Sequence, residues 1–105
     1  MGWFRRRSVT PEQARAMLDD GAQLIDVRTA SEWRSGHAPV ARHIPLDQLE
    51  KRAGSLSPGS PVVVMCQSGV RSAQAASLLR GRGFDALSLR GGIVAWRRAG
   101  ERVTR

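Results

Sequence analysis

The chain has one cysteine, Cys66, and its surroundings have the residue types that make a thiol reactive. Pro61–Ser72 reads as an apolar run, the cysteine, a short segment holding Gly69 and Arg71, and then a stretch of helix formers. Val62, Val63, Val64 and Met65 suit a strand buried on both faces, as in the middle of a parallel sheet. Such sheets present their chemistry at the carboxyl ends of their strands, where Cys66 falls. Ser72 to Arg80 contains no breaker, and Gly81 and Gly83 supply a stop, so a helix begins right after the loop. A helix start offers unpaired N–H groups and about half a positive charge. Gly69 lets the loop fold back so that successive N–H groups can point inward as an anion cradle. A thiolate held there has a lowered pKa and is a nucleophile near neutral pH, with Arg71 adding a full positive charge. The bland alternative is a buried thiol at a strand end, since free cysteines are among the most buried residues. The glycine, arginine and helix start that follow Cys66 weigh against it.

The elements that must position this loop are legible on either side of it. Thr10, Pro11 and Gln13 form a capped helix start, Ala14, Met17 and Leu18 give it an apolar face, and Gly21 ends it. Ala22–Arg28 reads as a strand interrupted by Asp26, a carboxylate that needs a partner if buried. Thr29 and Glu32 have capping-box spacing ahead of a short helix carrying Trp33. Glu32 can be a cap or can pair with an active-site arginine. Gly36–Leu46 contains two prolines and cannot be one helix, and Ile44 is expected to start a short strand. Asp47–Glu50 repeats the capping-box pattern ahead of a short helix through Arg52. Phe84–Leu89 alternates as a strand, and Ile93–Gly100 closes the chain as a helix. The alternation of helices and strands predicts an α/β three-layer sandwich, with a mostly parallel central sheet of about four or five strands and helices on both faces.

The length, 105 residues, is that of one small domain, and 41% hydrophobic residues suffice for one core. Residues 1–8 read as a basic arm, with Trp3 and Phe4 beside Arg5, Arg6 and Arg7, and residues 9–105 as the domain. The arm lacks the apolar stretch of a secretory signal, and no run of about 18 apolar residues exists to span a membrane. One cysteine excludes an internal disulfide and a cysteine-based zinc site, and suits a reducing, cytoplasmic setting. His37 and His43, the two histidines, lack companions at metal-ligand spacing, so no metal is expected. The net charge is +8, from 17 basic and 9 acidic residues. All the basic residues but Lys51 are scattered arginines, and the chain has no Tyr and only two Phe. No base-stacking platform emerges, so the charge points to small anionic substrates and acidic partners rather than specific nucleic-acid binding.

Five stretches together resemble the rhodanese homology domain in its single-domain form, from about Val9 to Gly100. They are Thr10-Pro11-Glu12; Leu24–Arg28 with Glu32; Gly36-His37 through Ile44-Pro45; Cys66–Ser72; and Leu89–Ile93 with Trp96. The resemblance implies a sulfurtransferase. Cys66 would attack the outer sulfur of a donor such as thiosulfate or a polysulfide, become a persulfide, and pass the sulfur to a thiol, a protein or another thiophilic acceptor. The amides of Gln67 to Ser72 would hold the persulfide anion. Arg71 would be tied down by Glu32 or Asp26, and Arg28 would be a structural ion-pair member or a weak substrate-facing charge. No cofactor is implied. The active loop is neutral at Gln67, Ser68 and Val70, which leaves persulfide, polysulfide and protein donors as open as thiosulfate.

Two rival functions share the strand–cysteine–loop–helix plan. Cysteine phosphatases and arsenate reductases resemble it with C-x5-R loops, whereas Cys66 and Arg71 are spaced C-x4-R. The shorter loop makes a tighter bowl, better matched to a sulfur atom than to a tetrahedral phosphate. A non-catalytic partner-binding module would need no thiol at all.

Overall fold

The computed structural model describes residues 7–105. Its centre is a five-stranded, all-parallel sheet in the order β1-β5-β4-β2-β3. The strands are β1 (Ser8–Val9), β2 (Gln23–Asp26), β3 (Arg42–His43), β4 (Val62–Met65) and β5 (Ala86–Leu89). The helices are α1 (Pro11–Asp19), α2 (Ala30–Ser35), α3 (Leu49–Arg52), α4 (Val70–Gly81) and α5 (Gly92–Arg98). Ser8, expected in the arm, pairs with Ser88 in β1. The rest of the arm through Arg6, with Trp3 and Phe4, lies outside the described residues.

The apolar run of β4 explains the layering. Val62 and Val64 face one core with Ile25, Leu49, Ala76 and Leu79, on the side of α3 and α4. Val63 and Met65 face the other with Ala14, Leu89, Ile93 and Trp96, on the side of α1 and α5. Alternate side chains of one strand thus feed two cores, the reason the strand shows no polar face. β2 is followed by a connection towards β3 and β4 by one towards β5. The adjacent carboxyl ends of β2 and β4 therefore form the topological switch point, where open parallel sheets place ligands.

Local chemistry sets the helix starts. The Thr10 capping box is formed: the Gln13 N–H donates to Thr10 Oγ1 at 3.2 Å and the Thr10 N–H to Gln13 Oε1 at 3.0 Å. The pattern at Asp47 fails. The Gln48 N–H bonds the Pro45 carbonyl at 2.9 Å, which tightens Leu46–Gln48 into a 3-10 turn with Asp47 inside it, and α3 starts at Leu49 without a side-chain cap. β3 lies at Arg42–His43 rather than starting at Ile44, because its pairing is with Ile25 and Asp26 of β2. The Ile44 N–H then continues the ladder to the Asp26 carbonyl at 3.0 Å. β5 starts at Ala86, since the Phe84 N–H is taken by the Leu79 carbonyl at the end of α4.

Candidate active site

Cys66 directly follows β4 and is 1% exposed. Its sulfur accepts the Gly69 N–H at 3.1 Å and the Ser72 N–H at 3.3 Å, and Ser72 Oγ lies 3.5 Å away. The loop is shaped from two directions. Gly69 takes φ +113°, which lets α4 begin at Val70, two residues before the helix expected at Ser72. From the other side, the Ile93 N–H holds the Cys66 carbonyl at 2.9 Å and the Val94 N–H holds the Gln67 carbonyl at 3.4 Å. With those carbonyls drawn towards α5, the amides further along the loop face the sulfur. Gly92 makes this approach possible: a Cβ there would collide with the Cys66 and Gln67 carbonyls.

Burial pushes the Cys66 thiol up, but hydrogen bonds to the charged form outweigh it and the pKa ends below its ordinary value. The Ser72 hydroxyl contributes most, then the N–H groups of Ser72, Gly69 and Ser68. Ser72 is itself held from beneath. Its Oγ lies 2.7 Å from Ser88 Oγ and donates to the Gly69 carbonyl at 3.2 Å. When the sulfur is ionised, Ser88 can donate to Ser72, freeing the Ser72 proton to turn to the sulfur. Ser88 was missed by sequence reasoning. Its signal was a polar residue in a strand buried on both faces, paired with Val64 two residues before the cysteine.

The two arginine partnerships, left open by the sequence, are distinct in the structure. Arg71 makes a bidentate pair with Glu32, at 2.6 and 2.8 Å. Glu32 also caps α2, accepting the Thr29 N–H at 2.9 Å, so its two readings hold together. First through the Arg71 hydrogen bond, against burial, and then through Thr29, its carboxyl is lowered to about 2. Arg71 is raised, mainly by hydrogen bonding to Glu32 and more weakly by the Cys66 and Asp26 charges. Asp26 is not the Arg71 partner. It pairs with Arg28, whose Nη2 lies 2.8 Å from Asp26 Oδ2, both side chains being almost fully buried. The remaining Arg28 N–H groups go to the Gly36 and Glu32 carbonyls and to Gln67 Oε1. Arg28 therefore holds the loop behind β2 and has no free face for substrate, which corrects that alternative.

Gln67 and Ser68 are exposed on the loop, and Val70 at its crest is 77% exposed. His37 and His43 both stack on α2's Trp33, with centroid distances of 3.6 and 4.7 Å. His43 also donates to the Arg28 carbonyl at 2.8 Å, joining the stack to the buried ion pair. On the Arg71 side of the loop lies a cleft of about 560 Å³ walled by Val27, Ala30, Pro45 and Leu46. Among the described residues no helix is long and apolar enough to cross a membrane.

A five-stranded parallel sheet with a cysteine cradle at its switch point defines the rhodanese-like class, and the chain belongs to it: the rhodanese-like domain family model matches residues 10–99. The chain is 38% identical over 95 residues to the thiosulfate sulfurtransferase GlpE of Pseudomonas savastanoi pv. phaseolicola, covering 90% of this chain and 88% of that protein. It is 42% identical over 91 residues to YqhL of Bacillus subtilis, an uncharacterized protein, covering 86% of this chain and 71% of that one. A rhodanese-related protein of Thermoplasma volcanium superposes with a TM-score of 0.85 at 26% identity, over 93% of this chain and 97% of the other.

Proposed function

We propose that the protein is a sulfurtransferase that carries sulfur on Cys66. The observation that carries this reading is the convergence of the Gly69 and Ser72 amides on the Cys66 sulfur. In the first half-reaction the Cys66 thiolate attacks the outer sulfur of the donor. The new S–S bond forms as the donor's own bond to that sulfur breaks, and the electron pair leaves with the donor, as sulfite when the donor is thiosulfate. In the second, an acceptor thiolate attacks the outer sulfur, the Cys66 bond breaks, and its electron pair returns to Cys66. No external oxidant or reductant is consumed. The outer sulfur of the persulfide stands about 2 Å beyond a thiol that is itself nearly inaccessible, so loading carries the reacting atom towards the acceptor.

The neutralised loop offers no free cation to the sulfonate of thiosulfate, which leaves polysulfide and organic persulfide donors open beside it. Arg71 is the one charged residue of the loop, and Glu32 neutralises it at hydrogen-bond distance. That pairing also weighs against phosphatase chemistry, which needs the loop arginine free for a dianion. A panel of thiosulfate, polysulfide and organic persulfide donors, with cyanide and thiol acceptors, tests the assignment through thiocyanate or persulfide formation. The expected result is turnover with a sulfane-sulfur donor of the panel, lost in Cys66→Ser. Hydrolysis of an aryl phosphate without sulfur transfer would overturn it.

A further inference from the structure

Ser88 is the one polar residue of β5, a strand buried along its whole length, and is 4% exposed. Its hydroxyl has a single hydrogen-bond partner among the described residues, Ser72 Oγ at 2.7 Å, and that contact allows either oxygen to donate. Were Ser72 the donor, the Ser88 proton would be buried with no acceptor, which native structures avoid. Ser88 is therefore the donor. That choice constrains the Ser72 proton too, which has two acceptors left: the Gly69 carbonyl at 3.2 Å and the Cys66 sulfur at 3.5 Å. While the thiol is neutral it donates to Ser72 Oγ, and the Ser72 proton rests on the Gly69 carbonyl. Once the sulfur is ionised, the Ser72 proton turns to it. The Gly69 carbonyl is not orphaned by the turn, because it also accepts the Ala73 N–H at 3.1 Å.

We propose that Ser88 is a positioning residue of the sulfur cradle: by donating to Ser72 it aims the Ser72 hydroxyl at the Cys66 sulfur whenever that sulfur carries charge. Donation into Ser72 also strengthens the bond that Ser72 gives, since chained hydroxyls polarise one another. The charged groups of the site are matched in pairs, Arg71 with Glu32 and Arg28 with Asp26, so the sulfur is left to neutral donors of this kind. The inference rests on the sulfurtransferase reading for its part in turnover and deepens it. Cys66 attacks as a thiolate in the first half-reaction and leaves as a thiolate in the second, and the Ser72 hydroxyl meets it in both. In the persulfide between them the charge sits on the outer sulfur, and the Ser72 proton returns to the Gly69 carbonyl. The hydroxyls only rotate, so no proton is gained or lost by either serine.

Alkylation of Cys66 followed against pH tests the assignment without any sulfur donor. Ser88→Ala should slow alkylation about threefold at pH values where the wild-type sulfur is mostly protonated, and should not slow it on the high-pH plateau. A role confined to packing would lower the melting temperature and leave the midpoint of the profile in place. Ser88→Thr, which keeps the hydroxyl, should restore the wild-type profile. In a Ser72→Ala background Ser88→Ala should add no further shift, because its route to the sulfur is gone. If Ser88→Ala folds poorly, Ser88→Thr and Ser88→Val, matched in shape, carry the same comparison. After loading with polysulfide, removal of the sulfur by 2-mercaptoethanol should slow about threefold in Ser88→Ala as well. A wild-type alkylation profile without the Ser88 hydroxyl, or an equal shift in the Ser72→Ala background, would overturn this inference alone. Failure of the wild type to load with any donor, with alkylation behaving as described, would overturn the sulfurtransferase reading and the part given to Ser88 in turnover.

Discussion

At the scale of single residues, the sulfur is governed by hydrogen-bond donors more than by a neighbouring cation. The Ser72 hydroxyl does most to lower the Cys66 pKa, whereas Arg71 has its charge engaged by Glu32. Ser72→Ala should therefore raise the thiol pKa more than Arg71→Ala does, read from the pH dependence of Cys66 alkylation. Because the folded thiol lies below its ordinary value, alkylation in wild type should reach half its maximum at a lower pH than that of an unperturbed cysteine, and Ser72→Ala should move that point up. Glu32 gives a second pH prediction. Its carboxyl is about 2 in the fold against an ordinary 4.5, so its contribution is complete above about pH 4.5 and lost as pH falls towards 2. Both partners keep about a third of their side chains in solvent, so the pair adds about 1 kcal/mol rather than the full value of the shift. Wild type and Glu32→Gln should differ by that amount in urea melts at pH 7 and converge near pH 2. The presence of two acids and two arginines was legible in the sequence. Which pairs with which was not, because Asp26 and Glu32 are equally plausible until β2 buries one beside Arg28 and α2 turns the other to the loop.

At the scale of elements, the loop is held by its neighbours. Gly92, at φ +58°, lets α5 approach closely enough to hold the Cys66 and Gln67 carbonyls. Gly92→Ala should cost about 3 kcal/mol in thermal unfolding and impair loading of Cys66, through steric overlap and an unfavourable φ. Asp26→Ala should cost about 3–5 kcal/mol, since it leaves the Arg28 guanidinium buried and unpaired. A melting temperature unchanged in that variant would show that Arg28 finds another partner. The elements written in local chemistry were legible: the Thr10 and Thr29 caps and the doubly buried β4 each carry their signal within a few residues. Of the misplaced ones, one depends on a partner far along the chain and the other on a backbone carbonyl close by. β3 is a two-residue edge strand defined by β2, and Pro45 shifts the helix expected at Asp47 into a 3-10 turn.

At the scale of the whole molecule, alternation of strands and helices sufficed for the layered architecture because each parallel connection needs a covering element. The site was legible as a cradle around Cys66, but Ser88 and Gly92 became members of it only when β5 and α5 came alongside β4. The net charge of +8 acts over the same distances. Capture of thiosulfate should slow as ionic strength rises from about 0.01 to 0.15 M, where the Debye length shrinks from about 30 to 8 Å. An uncharged sulfur donor should show no such dependence. The most direct measurement of the whole account is the intact mass of the protein after exposure to polysulfide and then to a thiol. Sulfur carriage by Cys66 predicts a gain of one sulfur, absent in Cys66→Ser, and its removal by the thiol with release of that thiol's persulfide. A mass that never changes, in a protein whose Cys66 alkylates normally, would contradict it.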